Sequence, residues 1–183
     1  DLGNWNISGY NDRKWLKAEL VKAPTGKIMA QMNDNMKVMK ILKPVSVKAL
    51  TPDTFIVDFG QNMTGLVKLK ASGKKGDKIT MRFAETIEEN GRLKTINLRS
   101  AKQTDIYTMK GEGTEAWEPS FVSHGFRYME VTGYPGTPTI NDFEGKVVYD
   151  GMETYGSFES SNTLLNQIYK NVYWGINGNY KGI

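Results

Sequence analysis

Six carboxylates in this sequence could do chemistry: Asp58, Glu85, Asp105, Glu118, Glu130 and Glu144. Two carboxylates flanking a bond can cleave it by general acid and base catalysis, as in glycoside hydrolysis. Most of these six sit at strand ends or alternate outward, and their spacing singles out no pair. His124 is the only histidine. A Ser-His-Asp triad would need it as base, and a histidine metal site usually draws on several such ligands. It lies just before Gly125 and a predicted strand, which reads as a hydrogen-bonding residue at a loop end. Gly60 and Gly65 have the spacing of a phosphate loop, but Leu66-Val67 stands where Lys-Ser/Thr is required, so a nucleotide has no charge to meet. The absence of cysteine excludes disulfides, thiolate metal sites and a cysteine nucleophile. No metal or cofactor is implied.

Trp117, Tyr107, Tyr128 and Tyr134 could stack on a sugar ring, although aromatic residues on strands commonly build core. Arg82, Arg99 and Arg127 lie within or beside apolar strands and need acceptors, so part-buried Arg–carboxylate or Arg–carbonyl contacts are expected. Trp117, Tyr134, His124 and Arg127 are the candidate substrate contacts. Asn6-Ile7-Ser8 and Asn62-Met63-Thr64 match the glycosylation sequon, a pattern frequent by chance.

The elements that must position these residues are mostly strands. Phe55–Phe59 ends at Gly60-Gln61-Asn62, which reads as a turn. Val67, Leu69 and Ala71 alternate with Lys68 and Lys70, and Ile79, Met81 and Phe83 continue the period after Gly73–Gly76. Further strands are expected at 105–109, 116–122, 126–132 and 143–149. At least seven short strands without helical pattern between them argue for an antiparallel sandwich or barrel. Residues 1–36 are irregular and read as the tail of a preceding module or a cap; 37–152 form the sandwich. The net charge is +4, with an excess at Lys68, Lys70, Lys74, Lys75 and Lys78. No aromatics interleave those lysines, so a solvated sheet face is expected rather than a nucleic-acid surface. No apolar run reaches the ~20 residues of a membrane span.

Ser160–Trp174 is a predicted amphipathic helix. Leu164, Leu165, Ile168, Tyr169, Val172 and Tyr173 form an apolar stripe, Ser161 or Asn162 supplies the cap, and Gly175 with Gly178 the stop. An isolated helix of this length is marginal in water. The stripe is therefore expected to fold back on the sheet, to self-associate through 164–173, or to meet a further domain.

Several motifs stand out in order: Val57–Gly65, Arg82-Phe83-Ala84-Glu85, Asn97–Ala101 with Thr104-Asp105, Tyr107-Thr108, His124–Tyr128, Glu130–Gly133, and Gly156–Glu159 with Ser161-Asn162 and Leu164–Asn166. Together they resemble bacterial α-L-rhamnosidases of glycoside hydrolase family 78. The likeness runs in order from about Ala30 to Asn179. Ser160 and Leu66 replace a frequent Cys and Trp without affecting the fold. The resemblance implies a mainly β chain: an antiparallel β-sandwich of concanavalin-like or jelly-roll type with a short C-terminal helix. It implies that 153–183 are the linker and first helix of a helical catalytic domain, which hydrolyses terminal α-L-rhamnosyl linkages with inversion. It transfers no catalytic residue, because the family's acid- and arginine-rich motif falls after the equivalent of Asn179. The partners it implies are that catalytic domain and, through the parent, rhamnose-containing glycans; it also points to an extracellular or periplasmic location. The alternative is an autonomous carbohydrate-binding module.

Overall fold

The computed structural model describes residues 3–182. The chain divides into two compact units, residues 1–31 and 32–183. Among its described residues the first contains turns but neither helix nor strand, as its irregular apolar spacing implies. The Trp15 ring packs against Trp5 and Tyr10 at 6.4 and 5.6 Å, while Leu16, Leu20 and Ile28 are exposed.

The second unit holds eight antiparallel strands and one helix: β1 Met36–Leu42, β2 Ser46–Thr51, β3 Thr54–Ser72, β4 Lys78–Ala84, β5 Thr104–Thr108, β6 Thr114–Trp117, β7 His124–Thr132, β8 Phe143–Asp150 and α1 Thr163–Asn179. The hydrogen-bonded order is β1-β8-β3-β7-β4-β5, with β2 and β6 also paired to β3. The first half of β3 lies between β2 and β7, and its second half between β8 and first β7, then β6. One long strand therefore runs through both faces, and the sheet curls into a half-barrel.

The turn expected at Gly60-Gln61-Asn62 is instead a bulge inside β3. Asp58 lies opposite Tyr128 but Met63 lies opposite Phe126, so β3 accommodates extra residues there without leaving the sheet. Gly60 takes φ +73°, a left-handed conformation suited to glycine, and its amide donates to Asp58 Oδ1 at 2.7 Å. The same carboxylate receives Arg127 Nε and Nη2 at 2.8 and 2.9 Å. The predicted arginine–carboxylate contact thus fastens the bulge to β7.

The core lies inside the curl. Val57, Phe59, Met63, Val67, Leu69 and Ala71 of β3 face Ile79, Met81 and Phe83 of β4 and Phe126, Met129 and Val131 of β7, with Phe143 and Val147 from β8. Phe59 meets Phe126 edge-on at 5.5 Å, and Phe83 meets Phe126 at 4.8 Å. A smaller cluster of Ile56, Ala84 and Leu93 explains why β3 is buried on both sides near its start.

β5 and β6 close the curl without pairing to each other. Tyr107 stacks on Trp117 at 5.1 Å, and the Glu115 carboxylate accepts from Tyr107 Oη at 2.5 Å. It also accepts from the amides of Lys110, Gly111 and Glu112. The tyrosine hydroxyl and these amides hold the Glu115 carboxyl down at about 2, against an ordinary 4.5. A depressed carboxyl gives stability that is present above its unfolded value and lost as pH falls through the folded one. Thermal unfolding by circular dichroism should therefore lose stability between pH 4.5 and about 2. Glu115→Gln should lower the midpoint at neutral pH and flatten that acid limb; an unchanged limb would refute the assignment.

Candidate functional site

Each of the six carboxylates has a partner, and the partners lie apart. Besides Asp58 with Arg127, Asp105 meets His124 Nε2 at 3.0 Å, Glu130 meets Arg82 at 3.3 Å, and Glu144 meets Lys43 at 2.9 Å. Glu118 pairs with Lys146, and Glu85 accepts from Asn62 Nδ2 at 2.9 Å. Of these six carboxylates only Glu85 lines the cleft between α1 and β3. No group of three or more Asp, Glu or His side chains gathers as a metal would need, again among the described residues.

The four candidate substrate contacts do not converge. His124 is buried, stacked on Phe83 at 4.5 Å and bonded to Asp105. Trp117 is half-buried against Tyr107, and Tyr134 donates its hydroxyl to the Lys70 carbonyl at 3.0 Å, its ring near Phe143. Burial, with nearby Asp142, pushes the Tyr134 hydroxyl up to about 12. Arg127 is held by Asp58 and lies over the Tyr128 ring at 5.0 Å. All four make contacts that fasten the sheet.

The Asp58–Arg127 pair makes a pH prediction. The guanidinium, and after it the Gly60 amide, hold the Asp58 carboxyl below its ordinary value against the opposing effect of burial. Its contribution is complete above an unfolded carboxyl value of about 4 and declines as pH falls through the folded value. Asp58→Asn should cost about 1–2 kcal/mol at pH 7, trimmed by solvent around the half-open guanidinium, and the cost should shrink toward acid. Denaturant unfolding at pH 7 and pH 3 measures it.

Concavity lies elsewhere, where α1 meets the β3 bulge. A cleft of about 500 Å³ is walled by Gln61, Asn62, Met63 and Thr64 from β3 and by Glu85 and Gly125. From α1 come Asn171, Trp174, Gly175, Gly178 and Asn179. Asn162 caps the helix by accepting from the Leu164 amide at 2.9 Å, as expected of that residue. Helix α1 continues past the expected glycine stop to Asn179. Its last turns bind the sheet: Thr64 Oγ1 donates to the Gly178 carbonyl at 3.0 Å, and Asn177 is buried. A side chain at 178 would meet Thr64 Oγ1 at 2.9 Å, so this crossing favours glycine.

Most of the apolar stripe does not fold back on the sheet, although Tyr173 at its edge meets Tyr149 of β8. Leu164, Leu165, Ile168 and Val172 are 45–65% exposed, while Tyr169 packs on Phe158 at 5.6 Å. At about 100° per residue, Trp174, Asn177 and Gly178 lie across the helix from the stripe. The helix is anchored by Trp174, which packs on the core, together with Asn177 and Gly178, and leaves most of its apolar stripe outward.

Residues 48–149, from within β2 almost to the end of β8, match the family described as the bacterial alpha-L-rhamnosidase concanavalin-like domain. The chain belongs to this family. Over its whole length this concanavalin-like domain chain is 38% identical to an alpha-L-rhamnosidase of Streptomyces avermitilis, and over 98% of it 36% identical to one of Formosa agariphila. The crystal structure of the Streptomyces avermitilis alpha-L-rhamnosidase complexed with L-rhamnose superposes with a TM-score of 0.93. The alpha-L-rhamnosidase from Dictyoglumus thermophilum, 41% identical, superposes at 0.95 over 98% of the chain. The chain spans only 18–20% of the length of these relatives. The mainly antiparallel β structure and the helix that follows it are thus shared with the matching regions of both superposed structures.

The cleft residues were not evident in the sequence. Gln61 and Asn62 looked like turn residues, and Glu85 was one carboxylate among six. The available signal was the recurrence of asparagine along the last turns of α1, at Asn171, Asn177 and Asn179.

Proposed function

We propose that this chain is the non-catalytic β-sandwich of a larger α-L-rhamnosidase and that it scaffolds a helical catalytic domain. In this reading 1–36 are a tail or cap, 37–152 the sandwich, and 153–183 the linker and first helix of the catalytic domain. The parent hydrolyses terminal α-L-rhamnosyl linkages of rhamnose-containing glycans with inversion, and supplies the acid and base from beyond this chain. One observation carries the reading: α1 is held to the sheet at one end while most of its apolar stripe faces away from it. Coverage of only 18–20% of rhamnosidase relatives supports the same view, as does a cleft lined by a single carboxylate.

The test is assembly. The purified chain, mixed with the separately expressed remainder of the parent enzyme, should co-elute as a one-to-one complex in size-exclusion chromatography with light scattering. Separate elution, or a homodimer of the chain that excludes the remainder, would overturn the scaffold reading.

A further inference from the structure

We propose that the cleft between α1 and the β3 bulge is a subsite for a neutral sugar residue. The choice of sugar probe, though not the site itself, rests on the reading above.

The wall is built from amides pinned at one end. Asn62 spends its Nδ2 on Glu85 Oε1 at 2.9 Å, and Gln61 spends its Nε2 on the Asn62 carbonyl at 2.8 Å. Asn179 Nδ2 donates to the Gly175 carbonyl at 2.7 Å, and Asn171 Oδ1 accepts from Gln167 at 2.7 Å. Each bond fixes an amide orientation and leaves its other end without a bond partner among the described residues, and Gln61, Asn62, Asn171 and Asn179 all line the cleft. What remains is a preorganised set of acceptors, Gln61 Oε1, Asn62 Oδ1, Asn179 Oδ1 and the second oxygen of Glu85, with Asn171 Nδ2 as donor. Trp174 adds an apolar wall.

That inventory selects the ligand class. No lysine or arginine lines the cleft, and Glu85 repels anions, so phosphate and carboxylate ligands are disfavoured. A purely apolar ligand would strand these polar groups without partners. A lone divalent cation wants six to eight oxygens at about 2.3–2.6 Å, whereas this wall offers one carboxylate around 500 Å³. Several hydroxyls beside a C–H face, the chemistry of a pyranose, satisfy acceptors, donor and indole together. The volume lies within the ~300–1,000 Å³ range of small-molecule sites. The bulge gives the site its shape: Gly60 in its left-handed conformation turns the chain so that Gln61 and Asn62 reach the cleft while β3 stays in the sheet.

The experiment is a titration of the isotopically labelled chain with L-rhamnose, D-glucose and calcium chloride in separate arms, followed by NMR. A sugar should shift the side-chain amides of Asn62, Asn171 and Asn179 and the Trp174 indole saturably, with a dissociation constant of about 1–10 mM. The Trp117 indole should stay silent. Glu85→Gln, which preserves shape, should weaken binding, and Asn171→Ala should weaken it at least ~10-fold, about 1.4 kcal/mol, with the backbone spectrum intact. The proposal is overturned by silence of these amides with both sugars to about 50 mM, by a response to calcium alone, or by sugar shifts that survive both substitutions. Silence would leave the scaffold reading intact, because that reading is judged by assembly and not by this titration.

Discussion

Gly65→Ala should abolish folding of the chain. Gly65 sits where β3 carries β7 on one edge and β8 on the other, opposite His124 and Val147. A β-carbon there would lie 1.9 Å from the backbone oxygen of Lys146 and 3.2 Å from the α-carbon of Val147. Neither atom can swing aside as a side-chain tip would, so β8 must move off β3. β8 carries Phe143 and Val147 into the core and β1 on its far edge. The expected loss exceeds about 4 kcal/mol, comparable with the whole stability of many domains. Soluble expression and far-ultraviolet circular dichroism measure it. Gly125→Ala is the control: its register partner is the neighbouring Thr64, yet a β-carbon there meets nothing within 4 Å. It should change stability by no more than about 0.5–1 kcal/mol. A folded Gly65→Ala chain melting within a few degrees of the parent would show that the β3–β8 crossing is looser than its geometry.

Ile168→Asp combined with Val172→Asp should leave the chain folded and abolish its assembly with the catalytic remainder. The two residues are 49% and 53% exposed, one turn apart on the outward face of α1. In the isolated chain the substitution removes little packing, and a change below about 1 kcal/mol is expected. In an assembled enzyme the same positions would be covered by apolar surface. Two unpaired carboxylates there cost several kcal/mol, and a loss of at least ~1,000-fold in affinity, about 4 kcal/mol, should follow. Thermal melting of the chain and titration calorimetry against the remainder separate the two effects. Equal destabilisation of the free chain would mean that the stripe serves the sandwich; undiminished affinity would mean that the partner docks elsewhere.

Strand alternation made the sheet legible, because one face of β3, β4 and β8 is core and the period of two survives in the sequence. The bulge was not legible. Gly60-Gln61-Asn62 is ordinary turn chemistry, and only pairing with β7, through Asp58 and Arg127, turns it into a kink within one strand. The helix and its Asn162 cap were evident, but its end was not: the helix runs through Gly175, and Gly178 makes a close crossing over Thr64 rather than a stop. The apolar stripe stays largely exposed, whereas the face that touches the sheet sets Trp174 beside glycine and asparagine. Hydrophobic patterning shows which surface must be covered and says little about a crossing made by glycine and asparagine. For the same reason the cleft escaped notice, since its groups come from a bulge and a helix end brought together only by folding.

Aryl α-L-rhamnoside hydrolysis by the purified chain tests the central claim most directly. The account predicts no release of the aryl group above buffer background from the chain alone, since the six candidate carboxylates each have a partner and only one lines the cleft. Release that scales with chain concentration and disappears in Glu85→Gln would contradict it and make this sandwich a hydrolase in its own right.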